Sequence, residues 1–394
     1  MSPDAALHDA QAMRHADREL LSLALIHARN RTLAWLAALE PHASHGTPDG
    51  LAPAWWLAGH AGWWQERWSA RNVQRSRSAA ADDARPPLAS IEPRADGWWV
   101  LPPTTTDAMP PPPGDVVRAY LAETLDATLE LLAGSAEDDD DALHVFRAAV
   151  FEEDALVLRF AALAQAQRVA AVRSLLPAQR VLRAPRAPIA FGAQRWRLGS
   201  ERGGHVPAPE RWAHDEAVPE FEIDAQPVSW QQFGEFVEDG GYDEPRWWSE
   251  AGRAWLEREG RRTPRDVEQL RHGVLLQRFG QLMRAPAGEA ASMLSWHEAD
   301  AWCRWAGRRL ATEVEWELAA SRGASRGFVW GDVPEWTAGR ARPWPGGPAV
   351  PDVLMRVQRG VAWFEPRRLA HPKARRFVSA EDDTGFAGFR SCGG

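Results

Sequence analysis

The chain has 394 residues, 45% apolar and 25% charged, with a formal net charge of −8. That suits a globular protein with room for two or three cores, and the negative balance argues against a general nucleic-acid or anionic-membrane surface. Two cysteines, Cys303 and Cys392, exclude a disulfide framework and, with no CxxC pair, a thiolate zinc site. No window approaches 18 uninterrupted apolar residues, and "MSPDAALHDAQ" has no basic stretch ahead of an apolar one, so a cytoplasmic protein in a reducing compartment is expected.

Apolar residues at helical spacing (Leu21, Leu25, Ile26, Leu33, Leu36, Leu39) predict a helix over 9–40, broken by "PHASHGTPDG". A second helix is expected over 53–75, with Pro53 near its start. Residues 76–116 read as loop because prolines crowd "LPPTTTDAMPPPPGD". A third helix spans 115–134, closed by Gly134, and a fourth lies within 135–172, its acidic start suited to the positive end of a helix dipole. Four long helices with one long connection predict a four-helix bundle. In the fourth, "HVFRAAVFEEDALVLRF" sets Glu152, Glu153 and Asp154 inside an apolar run, where carboxylates are rare unless paired. The proline-rich stretch 173–190 marks a boundary, giving expected domains 1–175 and 187–394. Beyond it, short strand-like runs such as 221–230 alternate with loops. Ser295 with Glu298 and Thr312 with Glu315 form capping boxes for two short helices, the first closing at Gly307. The fold class is α followed by α+β.

"WHEADAWCRWAGRRLATEVEWELAA", "WGDVPEWTAG" and "GFAGFR" resemble the signature segments of the formylglycine-generating-enzyme-like (sulfatase-modifying factor) fold, a loop-rich relative of the C-type lectin fold. "WWLAGHAGWWQERWSARN" resembles the histidine-bearing helix of a DinB-like bundle. The two in this order are similar to EgtB-type sulfoxide synthases. "ARNVQR", "RAYLAETLDATLELL" with "DDDDAL", and "HPKARRF…GFAGFRSC" point to the selenoneine synthase branch. The resemblance implies a mononuclear non-haem Fe(II) held by three histidines, which uses O2 to join a selenosugar or thiol donor to hercynine, a small betaine. One ligand is implied on the second helix and two on the fourth, in the form H-x-x-x-H-x-E, since i and i+4 share a helix face.

Against that pattern, His60 matches the first ligand, and its neighbours Trp56, Leu57, Trp63 and Trp64 turn it inward; core packing accounts for that equally well. On the fourth helix Glu152 and Leu156 stand at the two ligand positions, and Leu158 at the terminal Glu. Glu152 is able to bind Fe(II), but Leu has no donor atom. His144 lies two turns upstream of Glu152, about 12 Å along the axis, and is poorly placed to substitute. The metal candidates are therefore His60 and Glu152. In the tyrosine-bearing loop Ala341 and Trp344 replace the two tyrosines, and Arg376 and Phe377 stand where an Asn and an aromatic contact substrate. Trp336, Trp344 and Phe377 are candidates to box a quaternary ammonium, and Arg376 to hold a carboxylate or a surface salt bridge. No catalytic residue is assigned. The paired cysteines of formylglycine-generating activity are missing. Two readings remain: an iron-dependent selenoneine or ergothioneine synthase with an altered metal face, or a non-catalytic paralogue that binds a small betaine or a partner synthase.

Overall fold

The computed structural model of the chain describes residues 2–80, 86–102, 109–137, 139–177, 184–270, 273–352 and 354–393. Residues 103–108 of the proline-rich loop and 178–183 of the expected linker lie outside the described residues. There are two compact units: Met1–Leu176 with Gly203–Val206 and Glu365–Leu369, and Pro177–Arg202 with Pro207–Phe364 and Ala370–Gly394.

In the first unit the stretch expected as one helix over 9–40 is divided. A turn of helix α1 (Pro3–Leu7) and another, α2 (Ala10–Arg14), precede the long α3 (Arg18–Leu39). The divisions have a local cause: Asp9 accepts from the Ala12 N–H and Asp17 from the Leu20 N–H, so each acid caps a new start. Helix α4 (Ala54–Trp68) stops seven residues short of the expected end. There Ser69 Oγ donates to the Gln65 carbonyl and the Arg71 N–H to the Glu66 carbonyl, which interrupts the helical ladder. A further turn, α5 (Ala95–Trp99), forms within the stretch expected as loop. Helix α6 (Gly114–Ala133) ends at Gly134 as expected, with right-handed geometry at φ −84°. Helix α7 (Asp140–Ala166) starts at Asp139, whose carboxylate accepts from the N–H groups of Asp141 and Ala142.

Helices α3 and α4 each pack on both α6 and α7, making the bundle. Its core takes Leu21 and Leu25 from α3, Leu132 from α6, and Phe146, Val150 and Phe151 from α7. Each such side chain contributes about 1.5–3 kcal/mol when fully buried.

The second unit carries two four-stranded sheets, a hairpin and a three-stranded meander among the described residues. The hairpin is β2 (Gln194–Leu198) with β3 (His214–Val218). One sheet runs β1 (Ile189–Phe191), β4 (Phe221–Ile223), β13 (Ser391–Cys392), β8 (Arg309–Leu310). The meander is β5 (Val267–Gln269), β6 (Val274–Arg278) and β7 (Gln281–Ala285). The other sheet runs β11 (Arg375–Val378), β10 (Arg356–Arg359), β9 (Glu335–Arg340), β12 (Gly388–Phe389). Helices α8 (Trp230–Glu238), α9 (Glu250–Glu259), α10 (Trp296–Trp305) and α11 (Glu313–Arg322) complete it. Of the run expected as strand over 221–230, only Phe221–Ile223 is extended; Ser229 and Gln232 form a further capping box that starts α8. The boxes at Ser295–Glu298 and Thr312–Glu315 start α10 and α11.

Strand alternation puts Glu335, Arg359 and Arg375 on one face of the second sheet, where they form three buried ion pairs. Glu313 and Glu317, one turn apart on α11, receive Arg375 and Arg359, and Glu335 receives Arg390. Trp336 lies on the opposite face, within the apolar core around α8 and α10. Gly388 of "GFAGFR" allows a close strand approach, because a Cβ there would fall 2.3 Å from the Ala291 carbonyl oxygen.

Candidate functional site

His60 is fixed from three sides in the first unit. Its ring stacks between Trp56 and Trp63, with centroids 4.5 and 5.4 Å away. Its Nδ1 lies 2.8 Å from the Trp99 carbonyl oxygen. A carbonyl only accepts, so Nδ1 carries the proton and Nε2 keeps the lone pair. Burial lowers the imidazole pKa, and the positive charge of Arg159 lowers it further against the hydrogen bond.

Two carboxylates anchor the segment that carries Trp99. Buried Glu66 accepts from Ser90 Oγ (2.7 Å), the Ile91 N–H (2.8 Å) and Tyr120 Oη (2.7 Å). Asp96 accepts from Trp63 Nε1 (2.7 Å) and from both ends of the Arg71 guanidinium (2.8 and 2.7 Å). The Arg71 bonds chiefly pull the Asp96 pKa down to about 2. Gly59 completes the arrangement: a Cβ there would fall 2.0 Å from Trp99 Nε1.

The three acids of α7 diverge. Glu153 is buried and pairs with Arg29, at 2.9 Å to Nε and 3.2 Å to an outer nitrogen. Arg29 also reaches Thr124 Oγ1 at 3.2 Å and Gln65 Oε1. Asp154 is buried between Arg31 (3.0 Å) and Arg368 (2.8 Å). Glu152 alone has no carboxylate–arginine hydrogen bond; part of its surface reaches solvent, while the protein packed around it raises its pKa and Arg159 lowers it. Arg159 follows Glu152 by two turns and so shares its face of α7. Since Arg159 acts on both His60 and Glu152, the two sequence candidates belong to one electrostatic neighbourhood.

These residues do not make up a three-donor set. His60 offers one imidazole nitrogen and Glu152 one carboxylate. Leu156, at the other expected position, is buried and has no donor atom. Glu153 and Asp154 are engaged by arginines, and Arg159 opposes a nearby dication. Among the described residues no group of three His, Cys, Asp or Glu is placed to hold a metal ion.

In the second unit the four expected substrate residues divide between the faces of one sheet. Trp336 pairs with Gln358 and Gln358 with Arg376, so Trp336 and Arg376 share a face. Trp336 is fully buried and donates Nε1–H to the Leu294 carbonyl at 2.7 Å. Phe377 lies on the other face with Arg375, whose guanidinium carbon sits 4.6 Å from the Phe377 ring centroid and 4.0 Å from that of Trp344. The structure thus brings Trp344 and Phe377 together around Arg375 and leaves Trp336 and Arg376 apart from them.

Residues 189–332 match the Sulfatase-modifying factor enzyme 1-like domain. The chain is also similar to curated hercynine oxygenases. It is 32% identical over 234 residues to that of Mycobacterium tuberculosis (strain ATCC 25618 / H37Rv), covering 46% of this chain and 54% of the relative. It is 34% identical over 179 residues to that of Mycolicibacterium smegmatis (strain ATCC 700084 / mc(2)155), covering 35% and 41%. With that of Mycolicibacterium thermoresistibile it shares 27% identity over 376 residues, covering 84% and 81%. The chain spans about half the length of the first two relatives. A helical N-terminal region is thus followed by a sheet-bearing domain of the sulfatase-modifying-factor type.

Several residues that shape the site carry no local sequence signal. Trp99 acts through its carbonyl, which any residue would supply. Arg368 reaches Asp154 across 214 positions. Arg159 was legible from spacing, seven residues after Glu152. Cys392 is a buried strand residue, and burial pushes the Cys392 and Cys303 thiols up. No helix among the described residues is long and apolar enough to cross a membrane.

Proposed function

We propose that the chain is a hercynine-oxygenase-like protein of the selenoneine/ergothioneine synthase type whose bundle has lost the iron-binding face. It acts as a non-catalytic paralogue that binds a small betaine or a partner synthase in a reducing cytoplasm. The domain division at 175–187 is part of this reading. The observation that carries it is the pair of changes on α7: a buried Leu156 at one ligand position, and at the other Glu152 under the positive field of Arg159. Replacing imidazoles by a leucine and a carboxylate should cost more than the about 10–100-fold lost with an outer partner alone. The ring faces of Trp344 and Phe377 suit a cation but hold the Arg375 guanidinium, so a betaine would take their place only by displacing it.

A second reading has its own support. His60 keeps the tautomer a metal ligand needs, with Nδ1–H on a backbone carbonyl and Nε2 available. In that reading His60 and Glu152 hold Fe(II) and the protein joins a thiol or selenosugar donor to hercynine. Hercynine calorimetry and iron quantification on one sample separate the readings. Hercynine binding without iron supports the first; stoichiometric iron overturns it.

A further inference from the structure

Two arginines confront each other in the second unit, on the side of the sheet away from Arg375 and Phe377. The register sets Arg340 directly opposite Arg356, and like charges so placed repel. Arg356 is partly buried. Its guanidinium lies 3.6 Å from the Trp296 ring centroid, and one N–H donates to the Ala338 carbonyl at 3.2 Å. That stack fixes the plane of the guanidinium and leaves its other N–H groups available. Arg340 is exposed and has no hydrogen bond or ion pair among the described residues.

The charges around them cancel in pairs. Asp300 bonds Arg304 at 2.9 Å, Glu315 bonds Arg309 at 2.8 Å, Glu313 bonds Arg375 at 2.7 Å, and Glu216 bonds Arg342 at 2.9 Å. Asp300 also attracts Arg356, but its carboxylate is already held by Arg304. Arg340 and Arg356 are left as two uncompensated positive charges. Arg340 lines a cavity of about 810 Å³ together with Trp296, Asp300, Thr312, Glu313 and Glu315 among others, and Arg356 stacks on Trp296 beside it.

We propose that Arg340 and Arg356, facing each other at the edge of this cavity, bind a small-molecule oxyanion, a carboxylate or phosphate group bridging the two. Guanidinium forks suit both groups, and an anion there converts the repulsion into two charge-assisted contacts. Calorimetric titration of the full chain with inorganic phosphate and, separately, with succinate at matched ionic strength tests the site and distinguishes the two oxyanions. Saturable heat is expected with at least one, weakened by ~10-fold or more in Arg340→Gln. Binding should be unchanged in Arg262→Gln, an exposed arginine paired with Asp243 elsewhere on the unit. Because Arg340 is exposed and its guanidinium has no ion pair among the described residues, its variant breaks no salt bridge of the fold. No saturable heat with either anion, binding equal in Arg340→Gln and the unaltered chain, or equal weakening in Arg262→Gln overturns the proposal.

Discussion

Glu152, Glu153 and Asp154 are consecutive, yet each meets a different electrostatic environment because a helix turns its side chains about 100° per residue. Glu153 and Asp154 point into the bundle, where Arg29, Arg31 and Arg368 neutralise them. Removing one partner of such a pair leaves the other charge buried and unmatched. Glu153→Gln is therefore expected to destabilise the chain by about 3–5 kcal/mol in urea unfolding, and Arg29→Met combined with Glu153→Leu to recover much of that. A double variant no more stable than Glu153→Gln would contradict this account of the pair. That these acids need partners was legible from their apolar setting. Which cations answer them was not: Arg29 and Arg31 come from another helix, and Arg368 from the far end of the chain.

The elements record the same contrast between local and distant information. Both capping boxes expected around α10 and α11 are present, because a cap is decided within four residues. The long helix expected over 9–40 begins at its Asp9 cap but is cut at Asp17, an acid whose capping power overrides apolar periodicity. Sheet order was beyond reach. Strand β13 joins β4 to β8, and β12 runs parallel to β9, pairings that depend on tertiary closure. Helix α4 and the turn α5 are fitted by the absence of a side chain at Gly59. Gly59→Ala should force Trp99 away and cost about 1–3 kcal/mol through overpacking. Two-dimensional NMR should also show the His60 imidazole losing its Nδ1–H donor signature. An unchanged urea midpoint and unchanged His60 resonances would show that α4 tolerates the methyl.

For the molecule as a whole, the half-buried His27 and the buried His297 and Glu298 set opposing trends with pH. Burial, with Arg31 and Arg368 beside it, lowers the His27 pKa to about 4, and burial lowers His297 to about 4. Unfolded histidines take protons near pH 6.5 and these folded ones do not, so their contribution is full above 6.5 and falls as pH drops towards 4. Burial raises Glu298 to about 7, so its contribution is full below its unfolded value near 4.5 and is lost as pH rises through 7. Glu298→Gln removes the opposing trend. Melting temperature should then climb more steeply between pH 4.5 and 6.5 than in the unaltered chain; a shallower climb would contradict the assignment. The function proposed for the chain is that of a bundle that holds His60 in a ligand's posture without completing an iron site. Its most direct test is iron quantification after anaerobic Fe(II) reconstitution of the unaltered chain and of Glu152→His combined with Leu156→His. The account predicts far less than one iron per chain in the first and close to one in the second; stoichiometric iron in the unaltered chain would contradict it.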